Sequence, residues 1–249
     1  MRKALEFAIF TPLVFHSGDN SSAYEKMAPC ETEFVGSRVV FPHPNPRFQH
    51  EIVTEGCYTS KGGFDIRADR VIVDIGANVG IFTILAALTA KKARVICLEP
   101  EQRNYQFLCD NLSANSITNA EPARLAMARE EGITSLHVRN RGSGSILNKN
   151  DTRSNSTVQL VQTVSMSSMM LRYAIDKIDM LKMDIEGAEF QVFEKDDWLN
   201  GTRKLAIEVH PDSGDPGIII QKLKRRGFEV RVTPAYARGL LYLYAHLPD

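Results

Sequence analysis

Four short apolar runs in this chain end in or beside an acidic side chain, and no other feature restricts its fold as much. They are RVIVDI (70–75) with Asp74, ARVICLE (93–99) with Glu99, IDMLKMDI (178–185) with Asp184, and KLAIEVH (204–210) with Glu208. Continuous apolar runs of this length suit strands covered on both faces, as in a parallel sheet. Helical spacing separates them. Ile81, Ile84, Leu85 and Leu88 recur at i, i+3, i+4, i+7, and Tyr105, Leu108, Cys109 and Leu112 repeat the pattern. Ala188, Val192 and the pair Phe190/Phe193 give a further helical face, and another helix is expected over 218–226 before a turn at Gly227. Two last strands, 228–232 and 240–246, are joined too briefly for a parallel crossover, so they form an antiparallel hairpin. The alternation predicts a doubly wound, mostly parallel sheet with helices on both faces.

The remaining segments are less legible. Strands are expected near 35–41, 122–127, 133–138 and 158–166, with a Gly/Ser loop RGSGS at 141–145. Met166, Met169 and Met170 read as core filler or a flexible rim, and Trp198 as packing at a helix end. The 249 residues, against roughly 150 per domain, allow one large domain over 50–249 and an N-terminal extension over 1–49 that serves acceptor binding or closure. Thirty basic residues balance thirty acidic ones, so global charge argues for no polyanion partner. The cluster KLKRRG (222–227) reads as a solvated helix face, and nucleic acid is not an expected partner. The basic, then apolar, start resembles a leader, but Glu6 and Pro12 interrupt it; a soluble cytoplasmic protein without membrane partner is expected. Cys30, Cys57, Cys97 and Cys109 form no C-x-x-C pair and read as structural thiols.

In open α/β sheets ligands bind beyond the carboxyl ends of the strands, where these acids lie. The segment Asp74-Ile-Gly76-Ala-Asn78-Val-Gly80 is a D-x-G-x-x-x-G loop, not the G-x-G-x-x-G dinucleotide fingerprint. Gly76 permits a tight turn and close approach of a ligand, and Gly80 close packing of the next helix. A pyrophosphate wants a helix N-terminus free of nearby negative charge, whereas Asp74 suits a cationic group such as an α-amino group. Glu99 ends the next strand, where a carboxylate can accept both hydroxyls of a ribose. Together these favour S-adenosylmethionine over NAD.

VIVDIGANVGIFTILAA, VICLEPEQRNYQFLCDNLSAN, IDMLKMDIEGAEFQVFE and LAIEVHP, in this order, resemble the FkbM-type methyltransferases, a branch of the class I S-adenosylmethionine-dependent enzymes. K-M-D-I-E-G-A-E is the most specific of the segments. The resemblance covers roughly residues 50–246 and implies a seven-stranded sheet of order 3-2-1-4-5-7-6 with O-methylation of a small molecule or sugar. It implies that Asp74, Gly76, Ala77, Asn78 and Gly80 line the methionine end of the cofactor, and that Glu99 binds the ribose beside Pro100 and Asn104. Ala126, Met127 and Ala128 would flank the adenine. Asp184, Glu186 and Glu189 match the family's acidic motif, Asp184 also facing the cofactor; Glu208 and His210 match its E-[VI]-H.

Methyl transfer to a hydroxyl needs alignment, water exclusion and a proton acceptor; a positioned base adds about 10²–10⁴-fold. His210 is the expected base because its unperturbed pKa is near neutrality, with Glu208 or Asp184 orienting it or the acceptor. Tyr58, His43 and His50 are further candidates for contact with acceptor or cofactor. Two alternatives stand beside this reading. Asp184, Glu208 and His210 could hold a divalent cation against a vicinal diol, a less favoured reading because Glu and His replace the expected Asp-Asp/Asn pair. A non-catalytic cofactor-binding protein is the other. Oligomeric state is left open, homo-oligomers included.

Overall fold

The computed structural model describes residues 28–138, 144–145, 157–235, 237 and 239–248. A hairpin of β1 (Cys30–Phe34) and β2 (Ser37–Phe41) leads through α1 (Pro46–Gln49) and a π-helical turn (His50–Thr54) into the main domain. There follow β3 (Val71–Ile75), α2 (Ile81–Thr89), β4 (Arg94–Leu98), α3 (Gln102–Ala114) and β5 (Ala120–Ala123). The insert holds β6 (Ala126–Met127), β7 (Gly132–Val138), β8 (Gly144–Ser145), β9 (Thr157–Val164) and α4 (Met166–Arg172). The second half comprises β10 (Met180–Met183), α5 (Glu189–Val192), β11 (Lys204–Val209), α6 (Pro216–Arg225), β12 (Glu229–Pro234) and β13 (Leu241–His246).

The principal sheet runs β12-β13-β11-β10-β3-β4-β5. Counted along the chain this is 3-2-1-4-5-7-6, with β13 antiparallel to both neighbours, as the resemblance implies. β3, β4, β10 and β11 are central, and every residue of β10 and β11 is buried, which is why both are mostly apolar, with Lys182, Lys204 and Glu208 as the charged exceptions. α2 buries Ile81, Ile84 and Leu85 on one face of the sheet with Leu108 of α3, and α6 buries Ile219 and Leu223 on the other. No helix among the described residues is long and apolar enough to cross a membrane.

Several expectations change. The strand expected at 122–127 is two: β5 stops at Ala123, and Ala126–Met127 pairs with β9 in a second sheet ordered β6-β9-β7-β8. β5 is an edge strand, which is where Pro122 is tolerated. The strand expected through Met166 ends at Val164, because Ser165 Oγ accepts the Ser168 N–H at 3.1 Å and caps α4. Met166 and Met169 are thus buried helix residues. Over 35–41, Val35 and Gly36 both take positive φ as the hairpin turn, and only 37–41 is strand. Of the RGSGS loop, Gly144 and Ser145 pair with β7 and the rest lies outside the described residues, as do 1–27. Trp198 is buried edge-on against Phe193, and Lys222 and Arg226 of the basic cluster pair with Asp196. Cys57 and Cys97 are buried, Cys30 and Cys109 half-buried, all as free thiols.

Residues 28–49 pack into the same core as α2 and α3, with Phe34, Val39 and Phe41 buried there. Asn111 of α3 and its C-cap Asn115 clip this segment: Asn115 bonds both backbone groups of Val40 (2.8 and 2.7 Å), and Asn111 both of His43 (3.1 Å each). The position 49/50 falls inside a continuous helical stretch, Pro46–Gln49 running directly into His50–Thr54.

Candidate active site

An open cleft lies at the carboxyl ends of β3, β4 and β10. Of the expected cofactor residues, Gly76, Asn78, Glu99, Pro100, Asn104, Ala126, Met127 and Asp184 line it. Ala77 lines a smaller cavity that shares Phe48, Gly76, Asn78 and Asp184 with the first. Its lining combines the apolar Leu125, Ala126, Met127 and Leu136 with the acidic Glu99, Asp184 and Glu186. No described residue lining the larger cleft is basic.

The glycine loop is shaped by close approach. Gly76 has φ +77°, and a Cβ there would stand 1.8 Å from the carbonyl oxygen of Asp184. Gly80, at φ +88°, caps α2, and its Cβ would meet Leu108 Cδ1 at 2.5 Å. Gly80 therefore serves helix packing and lines neither cavity. The Gly76 and Ala77 N–H groups both donate to Leu98 O (2.9 Å). The Asn78 N–H donates to Glu99 Oε2 (2.8 Å), and Glu99 Oε1 accepts from the Glu101 N–H (2.9 Å). Burial raises the Glu99 pKa to about 7 against the lowering effect of these two bonds. Its carboxyl stands at the cleft wall with acceptor capacity beyond the two bonds.

Asp74 does not reach the cleft. It is fully buried, accepting from Thr83 Oγ1 at 2.6 Å and pairing with Lys182 Nζ at 3.1 Å. The cation expected from a ligand is supplied by the protein. Lys182 Nζ also donates to Gly76 O at 2.6 Å and lies 5.3 Å from the Tyr58 ring centroid. Sequence reasoning passed over Lys182 inside the quoted motif. The available signal was one lysine within an otherwise apolar strand, which demands a buried partner.

Around Asp184 the acids are coupled. Tyr58 Oη lies 3.3 Å from both Asp184 Oδ2 and Glu208 Oε2. Burial, then the charge and hydrogen bond of Asp184, push the Glu208 pKa up to about 9, so Glu208 carries a proton at neutral pH. Burial and the same two carboxylates drive the Tyr58 phenol well above its usual range, keeping it a donor. His210 departs from expectation. Its Nδ1 is 3.1 Å from Glu189 Oε1 and its Nε2 3.8 Å from Glu186 Oε2. Burial pulls its pKa down, but the Glu189 hydrogen bond and the charges of Glu189, Asp184 and Glu186 outweigh that and raise it to about 9. A raised pKa favours the imidazolium at neutral pH, which points away from the expected role of a neutral histidine base. Glu189, fully buried, also accepts from the Ile185 and Gly187 N–H groups (3.2 Å each) and shapes the turn after β10.

Among the described residues, no three His, Cys, Asp or Glu side chains converge as a metal site. His43 stacks on Phe107 and pairs with Asp110, and His50 faces Glu55 at the surface, so neither lines the two cavities. From the segment before β3, Phe48 lines both cavities and Glu51 the smaller one, and neither was singled out in the sequence.

The chain is similar to proteins of known name. It is 26% identical over 210 residues to the 31-O-demethyl-FK506 methyltransferase FkbM of Streptomyces tacrolimicus, covering 72% of this chain and 80% of that protein. It is 24% identical over 216 residues to methyltransferase sdnD of Sordaria araneosa, with the same coverage. Among solved structures, an rRNA methylase from Streptococcus thermophilus superposes with a TM-score of 0.48 at 12% identity, covering 80% of this chain and 97% of that one. Residues 74–230 match the methyltransferase FkbM domain, a span that holds the glycine loop, Glu99, Asp184 and Glu208. The chain belongs to the FkbM methyltransferase family.

Proposed function

We propose that this protein transfers a methyl group from S-adenosylmethionine to a hydroxyl oxygen of a small molecule or sugar, releasing S-adenosylhomocysteine. The observation that carries the reading is the charge of the cleft: Glu99, Asp184 and Glu186 face it and no described lining residue is basic. Such walls suit a cationic ligand with hydroxyls and an aromatic body, and would repel a pyrophosphate. When bound, the cofactor supplies a methyl group already activated on a positively charged sulfur. Gly76 and Asn78 would hold its amino-acid end, Glu99 its ribose hydroxyls, and Ala126 with Met127 its adenine. Family membership and the 31-O-demethyl-FK506 methyltransferase relative support an oxygen acceptor on a small molecule.

The chain's own part is orientation and proton handling. Asp184 reaches both cavities, so it is the group that can touch an acceptor hydroxyl and take its proton. Glu208, protonated, donates to Asp184 and fixes its carboxylate, as does Tyr58. His210, held by Glu189, is a positioning residue whose positive charge offsets the acids around Asp184. Phe48 and Tyr58 cover the site and help exclude water.

Isothermal titration with S-adenosylmethionine and S-adenosylhomocysteine, with NAD as control and with and without magnesium, tests this. Micromolar binding of the first two alone is expected. Folded protein that binds neither refutes the reading. A screen of hydroxylated acceptors for S-adenosylhomocysteine release then tests the oxygen acceptor.

A further inference from the structure

We propose that Lys182 is a positioning residue for cofactor binding: with Asp74 it forms a buried clamp that holds the Gly76 carbonyl and so fixes the glycine loop. The inference rests on the cofactor reading above. Lys182 sits in the middle of β10, in register with Asp74 on one side and Ala206 on the other. It is 3% exposed and Asp74 is 0% exposed. A buried ion pair is weak evidence for stability, since an apolar pair of similar volume packs there as well or better. Stability alone therefore does not account for the pair. The third contact supplies a use: Nζ donates to Gly76 O at 2.6 Å, the tightest polar contact the loop makes with β10.

Gly76 is the point where the loop passes closest to β10, against the Asp184 carbonyl. The Gly76 and Ala77 N–H groups are tied to β4 through Leu98 O. Lys182 ties the Gly76 carbonyl to β10 from the opposite side. The peptide between the two cavities is thus anchored at both ends, and its orientation is set before any ligand arrives. Preorganisation of this kind lowers the ordering cost of binding. The same ammonium lies over the Tyr58 ring, whose hydroxyl contacts Asp184 and Glu208. The clamp therefore joins the loop to the residues proposed to meet the acceptor.

The test separates loop positioning from charge balance. Lys182→Met alone leaves Asp74 buried without its counter-charge, so a lower melting temperature is expected. In Asp74→Asn/Lys182→Met neither charge remains, and the melting temperature should return close to the wild-type value. S-adenosylmethionine affinity of this double variant, by calorimetry, should stay about tenfold or more below wild type, the size of one lost charge-assisted hydrogen bond. Amide exchange at Gly76 and Ala77 in the ligand-free double variant should accelerate while the rest of β3 is unchanged. A double variant that fails to fold, or that folds and binds within about threefold of wild type, overturns the proposal. Wild-type protein that binds no S-adenosylmethionine refutes the cofactor reading itself, and this inference with it.

Discussion

Glu189→Gln should lower the pKa of His210 and reveal how much of the local electrostatics one carboxylate supplies. The glutamine keeps an oxygen to accept the Ile185 and Gly187 N–H groups, so the turn after β10 retains its bonds while the charge facing Nδ1 is lost. In the wild type the His210 pKa rises from 6.5 to about 9. At about 1.4 kcal/mol per unit, that is an upper bound of about 3 kcal/mol favouring the folded protonated form. Because the folded pKa lies above the unfolded one, this contribution is fully present below pH 6.5 and is lost as pH rises toward 9. Two measurements check it. Proton NMR titration of the His210 ring should give a midpoint near 9 in the wild type and one about a unit or more lower in the variant. Chemical denaturation between pH 6 and 9.5 should show the wild type losing more stability than the variant, the difference approaching 1–2 kcal/mol. A wild-type His210 that titrates at or below 6.5 would refute the reasoning and restore this side chain as a general base.

Two further outcomes follow from the same geometry. Glu208→Gln replaces a carboxylic acid, protonated up to about pH 9, by a neutral amide; its folded pKa is also raised, so the wild type loses stability between about pH 4.5 and 9 and the variant should lose less, as read by denaturation across that window. Gly76→Ala places a methyl group 1.8 Å from a backbone oxygen at φ +77°, and should cost about 3 kcal/mol or more and abolish cofactor binding, with unchanged melting and titration curves as the contrary result.

Much of the frame was legible because it is written in apolar periodicity. Fully covered strands such as β10 and β11 have little choice but to be mostly apolar, and α2 and α3 show their inner faces at helical spacing. The order of the strands came from the family resemblance, since periodicity says nothing about which strand lies beside which. The insert was read less well. β6 has only two residues and α4 only seven, too short for a period to register.

At the site, one rule had two outcomes. An acid ending an apolar strand needs a partner, and for Asp184 and Glu99 that rule led to the cleft. For Asp74 it led to Lys182, and nothing in a one-dimensional pattern distinguishes a ligand's cation from a lysine on the neighbouring strand. His210 was placed correctly at the end of β11, but its protonation state depends on Glu189 folding back from α5. That approach is a tertiary fact.

The contact between Tyr58 and the last strand bears on how the protein comes into being. Tyr58 packs edge-on against Tyr242, and Tyr244 Oη donates to Cys57 O at 2.7 Å, across 187 residues of sequence. β13 lies between β11 and β12, so it threads into the sheet after its neighbours have been made. On the ribosome, Tyr58, which lines the smaller cavity, therefore gains its support from Tyr242 only once β13 has been made.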